Sequence, residues 1–128
     1  MARILIVDDD ELFRPMLRAT LLKMGHQVRE VEDGDEALRL FEQEPADLLM
    51  TDMVMPGREG LEVIMLFKSH SPDLKVIAMS GAGRVVETNY LKLATAEGAD
   101  AVLEKPFSKE QLAATIMRLL GPGTAPKA

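Results

Sequence analysis

No cysteine occurs among the 128 residues, so disulfides, thiolate chemistry and the common cysteine zinc sites are excluded, and a reducing compartment suits the chain. No apolar run approaches the length of a membrane-spanning helix, and residues 1 to 7 lead straight into a strand pattern without signal-peptide architecture. The expected location is therefore the cytoplasm, with no membrane insertion. Positive charge is also short. Fifteen Lys and Arg against 21 Asp and Glu leave a formal net charge of -6, which disfavours nonspecific attachment to nucleic acid or an anionic membrane. The glycine loop at Gly81 and Gly83 lacks a Walker lysine with a following Ser or Thr, so nucleotide binding finds no support. His26 and His70 have no motif around them and read as helix-end or loop residues.

What is present is the composition of one folded domain, 47% hydrophobic and 28% charged, with room for one real core and none for a second. Its nine methionines lie mostly within apolar runs and read as core filling rather than a soft metal site.

The hydrophobic pattern alternates between two periods. Arg3 to Val7, Gln27 to Val31, Ala46 to Thr51, Leu74 to Met79 and Ala101 to Leu103 read as strands, most of them continuously apolar, as expected where helices cover both sheet faces. Between them come helical patterns. From Glu11 the face is Phe13, Met16, Leu17, Thr20, Leu21 and Met24, with Gly25 as the stop. From Gly34 to Glu44 it is Ala37, Leu38 and Phe41, and after the PGREG turn it is Leu61, Ile64, Met65 and the stem of Lys68. A longer helix is expected from about Arg84 to Glu97, and a last one from about Ser108 to Leu120, opened by a Ser108 cap with Gln111 three residues on. The expected fold class is α/β, a doubly wound five-stranded parallel sheet made of five βα units with right-handed crossovers. The domain should span residues 1–120, with 121–128 a flexible tail.

Ligands of open α/β sheets gather at the carboxyl ends of the strands. Four strand ends here carry chemistry: Asp8 and Asp9, Asp52, Ser80 and Lys105. An isolated aspartate at a strand end is usually a turn residue bonding to nearby amides, which suits Asp10, Asp33, Asp47 and Asp73. Asp8, Asp9 and Asp52 fit that less well, because three carboxylates following buried runs repel one another unless a cation intervenes. Mg2+ suits the need: it takes oxygen ligands, few of them protein carboxylates. Asp9 and Asp52 are the expected direct ligands, Asp8 acts through water, and the Val54 carbonyl adds one more oxygen. Phosphoryl transfer needs an in-line nucleophile and positive charge facing the phosphoryl oxygens. Asp52 is the candidate nucleophile, Lys105 the positive charge and Ser80 a hydroxyl donor.

These residues carry a family resemblance. ILIVDD with Asp8 and Asp9, LLMTDMVMPG with Asp52, VIAMSG with Ser80 and LEKPF with Lys105 together resemble the receiver domain of bacterial two-component response regulators, over about residues 2 to 120. The resemblance implies the flavodoxin-like receiver fold with strand order 2-1-3-4-5, a stand-alone single-domain form, and a phosphoryl group taken by Asp52 from a histidine kinase or histidine phosphotransfer protein. It also implies magnesium at Asp8 and Asp9, phosphoryl contacts from Ser80 and Lys105, and a cis bond between Lys105 and Pro106. Self-phosphorylation from small donors and slow self-hydrolysis of the phosphoaspartate belong to the same expectation, whereas the downstream target does not follow from it. Two departures stand out. Val102 occupies the position of the family's switching Tyr or Phe, and a β-branched valine cannot swing a ring between buried and exposed positions. The segment between Ser80 and Lys105 is also a few residues longer than in the commonest relatives. The alternative reading is a magnesium-dependent phosphohydrolase with an aspartyl-phosphate intermediate, which would want a second carboxylate as general acid or base; Val54 stands two residues beyond Asp52, where one would serve.

Overall fold

The computed structural model describes residues 2–53, 60–81 and 98–121. The expected helix at 84–97, the PGREG turn up to residue 59, the Val54 carbonyl and the tail from 122 lie outside the described residues. Among the described residues nine elements follow one another: β1 (Arg3–Val7), α1 (Phe13–Lys23), β2 (Gln27–Val31), α2 (Gly34–Gln43), β3 (Leu48–Asp52), α3 (Gly60–His70), β4 (Lys75–Ser80), β5 (Ala101–Glu104) and α4 (Lys109–Leu120). All strand pairs are parallel, in the order β2-β1-β3-β4-β5. The expected order is the observed one.

Strand side chains alternate between faces, and here both faces are covered. Leu5, Val7, Leu49, Val76 and Ala78 meet Ala37 and Phe41 of α2 and Val63, Ile64 and Phe67 of α3. Ile4, Ile6, Leu48, Met50, Ile77 and Met79 meet Leu17 and Leu21 of α1 and Leu112 and Ile116 of α4 on the other side. Truncating a core leucine such as Leu21 to alanine costs about 2–5 kcal/mol in sites of this kind.

Local chemistry sets the helix ends. Asp33 accepts the Glu36 amide as N-cap of α2, and Ser108 and Gln111 form a reciprocal capping box on α4. Gly25, at a φ of +93°, turns the chain out of α1, a conformation that suits a residue without a Cβ.

The structure corrects several expectations. β3 and β4 each run one residue further than the pattern suggests, so Asp52 and Ser80 are the last strand residues and Asp52 lies in register with Met79. Met16 is 68% exposed and Met65 51% exposed, so neither belongs to a buried face. On the α1 side Leu17, Leu21 and Met24 are buried and Phe13 packs partly buried against them, while Met16 falls outside the contact. In α3 nearly every position from Leu61 to Phe67 is apolar, so periodicity selects no face; among the described side chains Val63, Ile64 and Phe67 are buried, and the Leu61 side chain lies outside the described ones. Asp47 is not a local turn residue. It accepts the Arg3 backbone N–H at 2.8 Å and pairs with the Arg3 guanidinium at 3.2 Å, joining the starts of β1 and β3.

Candidate functional site

Sheet order turns separate sequence positions into neighbours. β1 and β3 lie side by side with Val7 opposite Thr51, so the residues following Val7 rise next to Asp52. β4 and β5 continue the row, with Ser80 opposite Glu104. The Lys105 N–H donates to the Ser80 carbonyl at 2.7 Å, which ties the two strand ends together. The Lys105–Pro106 peptide bond is cis, as the resemblance implied.

One oxygen from each of Asp8, Asp9 and Asp52 lies within 4.8 Å of the others. Asp8 is fully buried, Asp52 largely so, and Asp9 is exposed. The Lys105 Nζ lies 2.6 Å from Asp8 Oδ2 and 3.7 Å from Asp52 Oδ1. Asp8 Oδ1 accepts the Asp10 N–H at 2.9 Å, and Asp52 Oδ1 accepts the Met53 N–H at 3.0 Å. Asp8, Asp9, Asp52 and Lys105 thus converge as expected from the strand ends. Ser80 is buried at the end of β4 in the same row.

Burial, first, pushes the Asp52 carboxyl up to about 6; the Lys105 ammonium opposes this, the Asp8 charge reinforces it, the Met53 N–H opposes it and Asp9 adds a further upward push. Beside them Asp10 behaves differently, because the amides of Phe13 and Leu12 stabilise its charge and hold its carboxyl below the usual range. Asp10 is a helix-end residue, in keeping with its sequence context.

Two residues on α1 complete the surroundings, and sequence reasoning gave neither a part in the site. Arg14 donates from Nη1 to the Asp8 carbonyl at 2.7 Å, while its guanidinium lies 3.8 Å from Glu30 and 3.7 Å from Glu32. Phe13 places its ring 4.2 Å, centroid to Nζ, from the Lys105 ammonium. Phe13 was expected as a packing residue; no spacing rule connects it with a lysine on the far side of the chain.

The donor set fits a hard cation. Among the described residues, three carboxylates, two of them withdrawn from water, gather beside one ammonium that reaches Asp8 and Asp52, and the nearby guanidinium is engaged with Glu30 and Glu32, which leaves these groups with more negative than positive charge. Carboxylate oxygens are the ligands magnesium prefers. This acidic triad is typical of the magnesium pocket of receiver domains. Val102 is half-buried, packs against the core on the α2 and α3 side, and lines a shallow cavity with Leu103, Lys105 and Gln111.

The model of the response regulator receiver domain matches residues 4–117. The chain is 35% identical over 127 residues to the DNA-binding transcriptional regulator NtrC of Azospirillum brasilense, covering 99% of this chain and 26% of that protein. It is 39% identical over 119 residues to the response regulator MprA of Mycobacterium leprae, covering 92% and 50% respectively. The chain thus spans a quarter to a half of the length of these relatives. Among solved structures, a response regulator receiver domain protein from Clostridium thermocellum superimposes with a TM-score of 0.86 at 29% identity, covering 94% of each chain.

Proposed function

The chain belongs to the response regulator receiver family, and on that premise we propose that Asp52 is its phosphoryl acceptor, loaded by a histidine kinase or histidine phosphotransfer protein and read out through altered protein contacts. The observation that carries this reading is the convergence of Asp8, Asp9 and Asp52 within 4.8 Å of one another, with Lys105 reaching Asp8 and Asp52.

Asp52 Oδ1 is already engaged by the Met53 amide and faces Lys105, which leaves Oδ2 to attack. A new P–O bond forms as the P–N bond to the donor imidazole breaks, and the leaving nitrogen keeps the electron pair and takes up a proton. Asp9 and Asp52 would hold Mg2+ directly and Asp8 through water, with the Val54 carbonyl as a further ligand; the bound ion supplies charge to the phosphoryl oxygens. Lys105 turns its ammonium from Asp8 toward the new phosphoryl group, and Ser80 donates its hydroxyl. Leu12 and Met16, 82% and 68% exposed, flank Phe13 on the rim and give a protein donor an apolar foothold.

The test is intact-mass measurement after incubation with acetyl phosphate and Mg2+. One phosphoryl group should be added to the wild type and none to Asp52→Asn; equal labelling of both would overturn the assignment.

A further inference from the structure

Lys105 has a demanding task under the phosphoacceptor reading, on which this inference rests. Its ammonium must hold Asp8 at 2.6 Å in the resting site and then move its hydrogen bonds to a group on Asp52, 3.7 Å away, while largely shielded from water. A carboxylate or carbonyl partner would bind one N–H in one direction and oppose that exchange. An aromatic face attracts the whole cation without claiming a particular N–H. Phe13 offers such a face, with its centroid 4.2 Å from Nζ.

The ring is itself held. Asp10 Oδ1 accepts the Phe13 N–H at 3.0 Å, which anchors the first residue of α1 directly after the acidic run. Phe107, two residues beyond Lys105, meets the Phe13 ring edge-to-face at 5.7 Å between centroids. The Phe13–Phe107 contact thereby fastens the segment carrying the lysine to the helix carrying its aromatic partner.

We infer that Phe13 is a positioning residue for Lys105, an aromatic seat on which the ammonium pivots from Asp8 to the group on Asp52. Leucine at this position would keep the apolar bulk and lose the π face; tyrosine would keep both.

Two measurements decide it. The first is the rate of Mg2+-dependent labelling by acetyl phosphate, followed by intact mass. Phe13→Leu should slow it about fivefold, the size of one partly buried cation–π contact, and Phe13→Tyr should recover most of the loss. In a Lys105→Ala background the same Phe13→Leu change should have no further effect, whereas a purely structural role would slow both backgrounds alike. The second needs no phosphoryl chemistry. The Lys105 ε-methylene protons, lying near the ring, should resonate upfield of a solvated lysine in wild type and Phe13→Tyr and return downfield in Phe13→Leu. Labelling of Phe13→Leu within twofold of wild type, with Asp52→Asn inert, would overturn the seat and leave the acceptor standing. Should the wild type take no label, the acceptor reading fails and the methylene shift alone decides the seat, an unchanged shift in Phe13→Leu refuting it.

Discussion

The two ends of the sheet use the same residue types to opposite effect. At the amino ends of the strands, charges meet one to one. Arg3 pairs with Asp47, and Lys68 donates both to the Leu74 carbonyl and to Asp100, whose Oδ2 also accepts the Val76 N–H. Even His26, buried in the α1–β2 connection, accepts the Ala2 N–H on Nδ1, and burial followed by the terminal amine keeps its ring below its ordinary basicity. At the carboxyl ends, among the described residues, three carboxylates cluster and one lysine reaches two of them, Asp8 and Asp52. A matched group of charges stabilises the fold, whereas an unmatched one stores a demand for a ligand, and perturbed ionisation marks the place.

The comparison breaks most easily at Asp100. Asp100→Ala leaves the Lys68 ammonium and the Val76 N–H without a partner that both now use, and should destabilise the protein by roughly 2 to 4 kcal/mol. Urea unfolding with an unchanged slope measures it. A loss below about 1 kcal/mol would remove the distinction between the two ends.

Asp52→Asn should have the opposite sign. The folded carboxyl titrates near 6 against 3.8 for the free group, so between those values the native state binds more protons than the unfolded state. Stability from this group is fully present below about pH 4 and is lost as pH rises through 6. Without added magnesium, the asparagine variant should be more stable than wild type at neutral pH by about 1 to 2 kcal/mol, a range reduced for the residual contact with water. The gap should close toward pH 4. A wild-type-minus-variant difference independent of pH would show that the strain is absent.

The smallest effect belongs to Arg3→Ala. That pair is about half exposed on both partners, so its loss should cost less than about 1 kcal/mol and shrink further in salt. Thermal unfolding at two ionic strengths checks this.

These contrasts also explain what could be read in the chain before folding. Continuous apolar runs in Ile4 to Val7 and Leu48 to Met50, alternating with helical spacing, carry the parallel sheet, and a parallel sheet delivers Asp8, Asp9, Asp52, Ser80 and Lys105 to one edge. Local caps such as Ser108 with Gln111 were equally plain. What stayed hidden depended on packing direction. Met65 looked like a buried residue because nearly every position from Leu61 to Phe67 is apolar, and Asp47 looked local because its partner, Arg3, stands 44 residues earlier at the start of β1. Phe13 and Arg14 belong to a helix pattern in sequence, and their approach to the site arises only when α1 docks over β1.

The outer strand β2 has a further consequence. Its sequence, QVREV, places Arg29 and Glu30 in the middle of the strand, where Arg29 pairs with Glu44 and Glu30 lies by Arg14, while the inner strands β1, β3 and β4 confine charge to their ends. An open strand edge is a template on which another molecule's backbone can continue the sheet, and charged side chains along it discourage that addition. The charges of β2 thus work against sheet continuation at this edge, and one of them, Glu30, also lies 3.8 Å from the arginine that donates to the Asp8 carbonyl, so the strand's charge pattern reaches the surroundings of the acidic site.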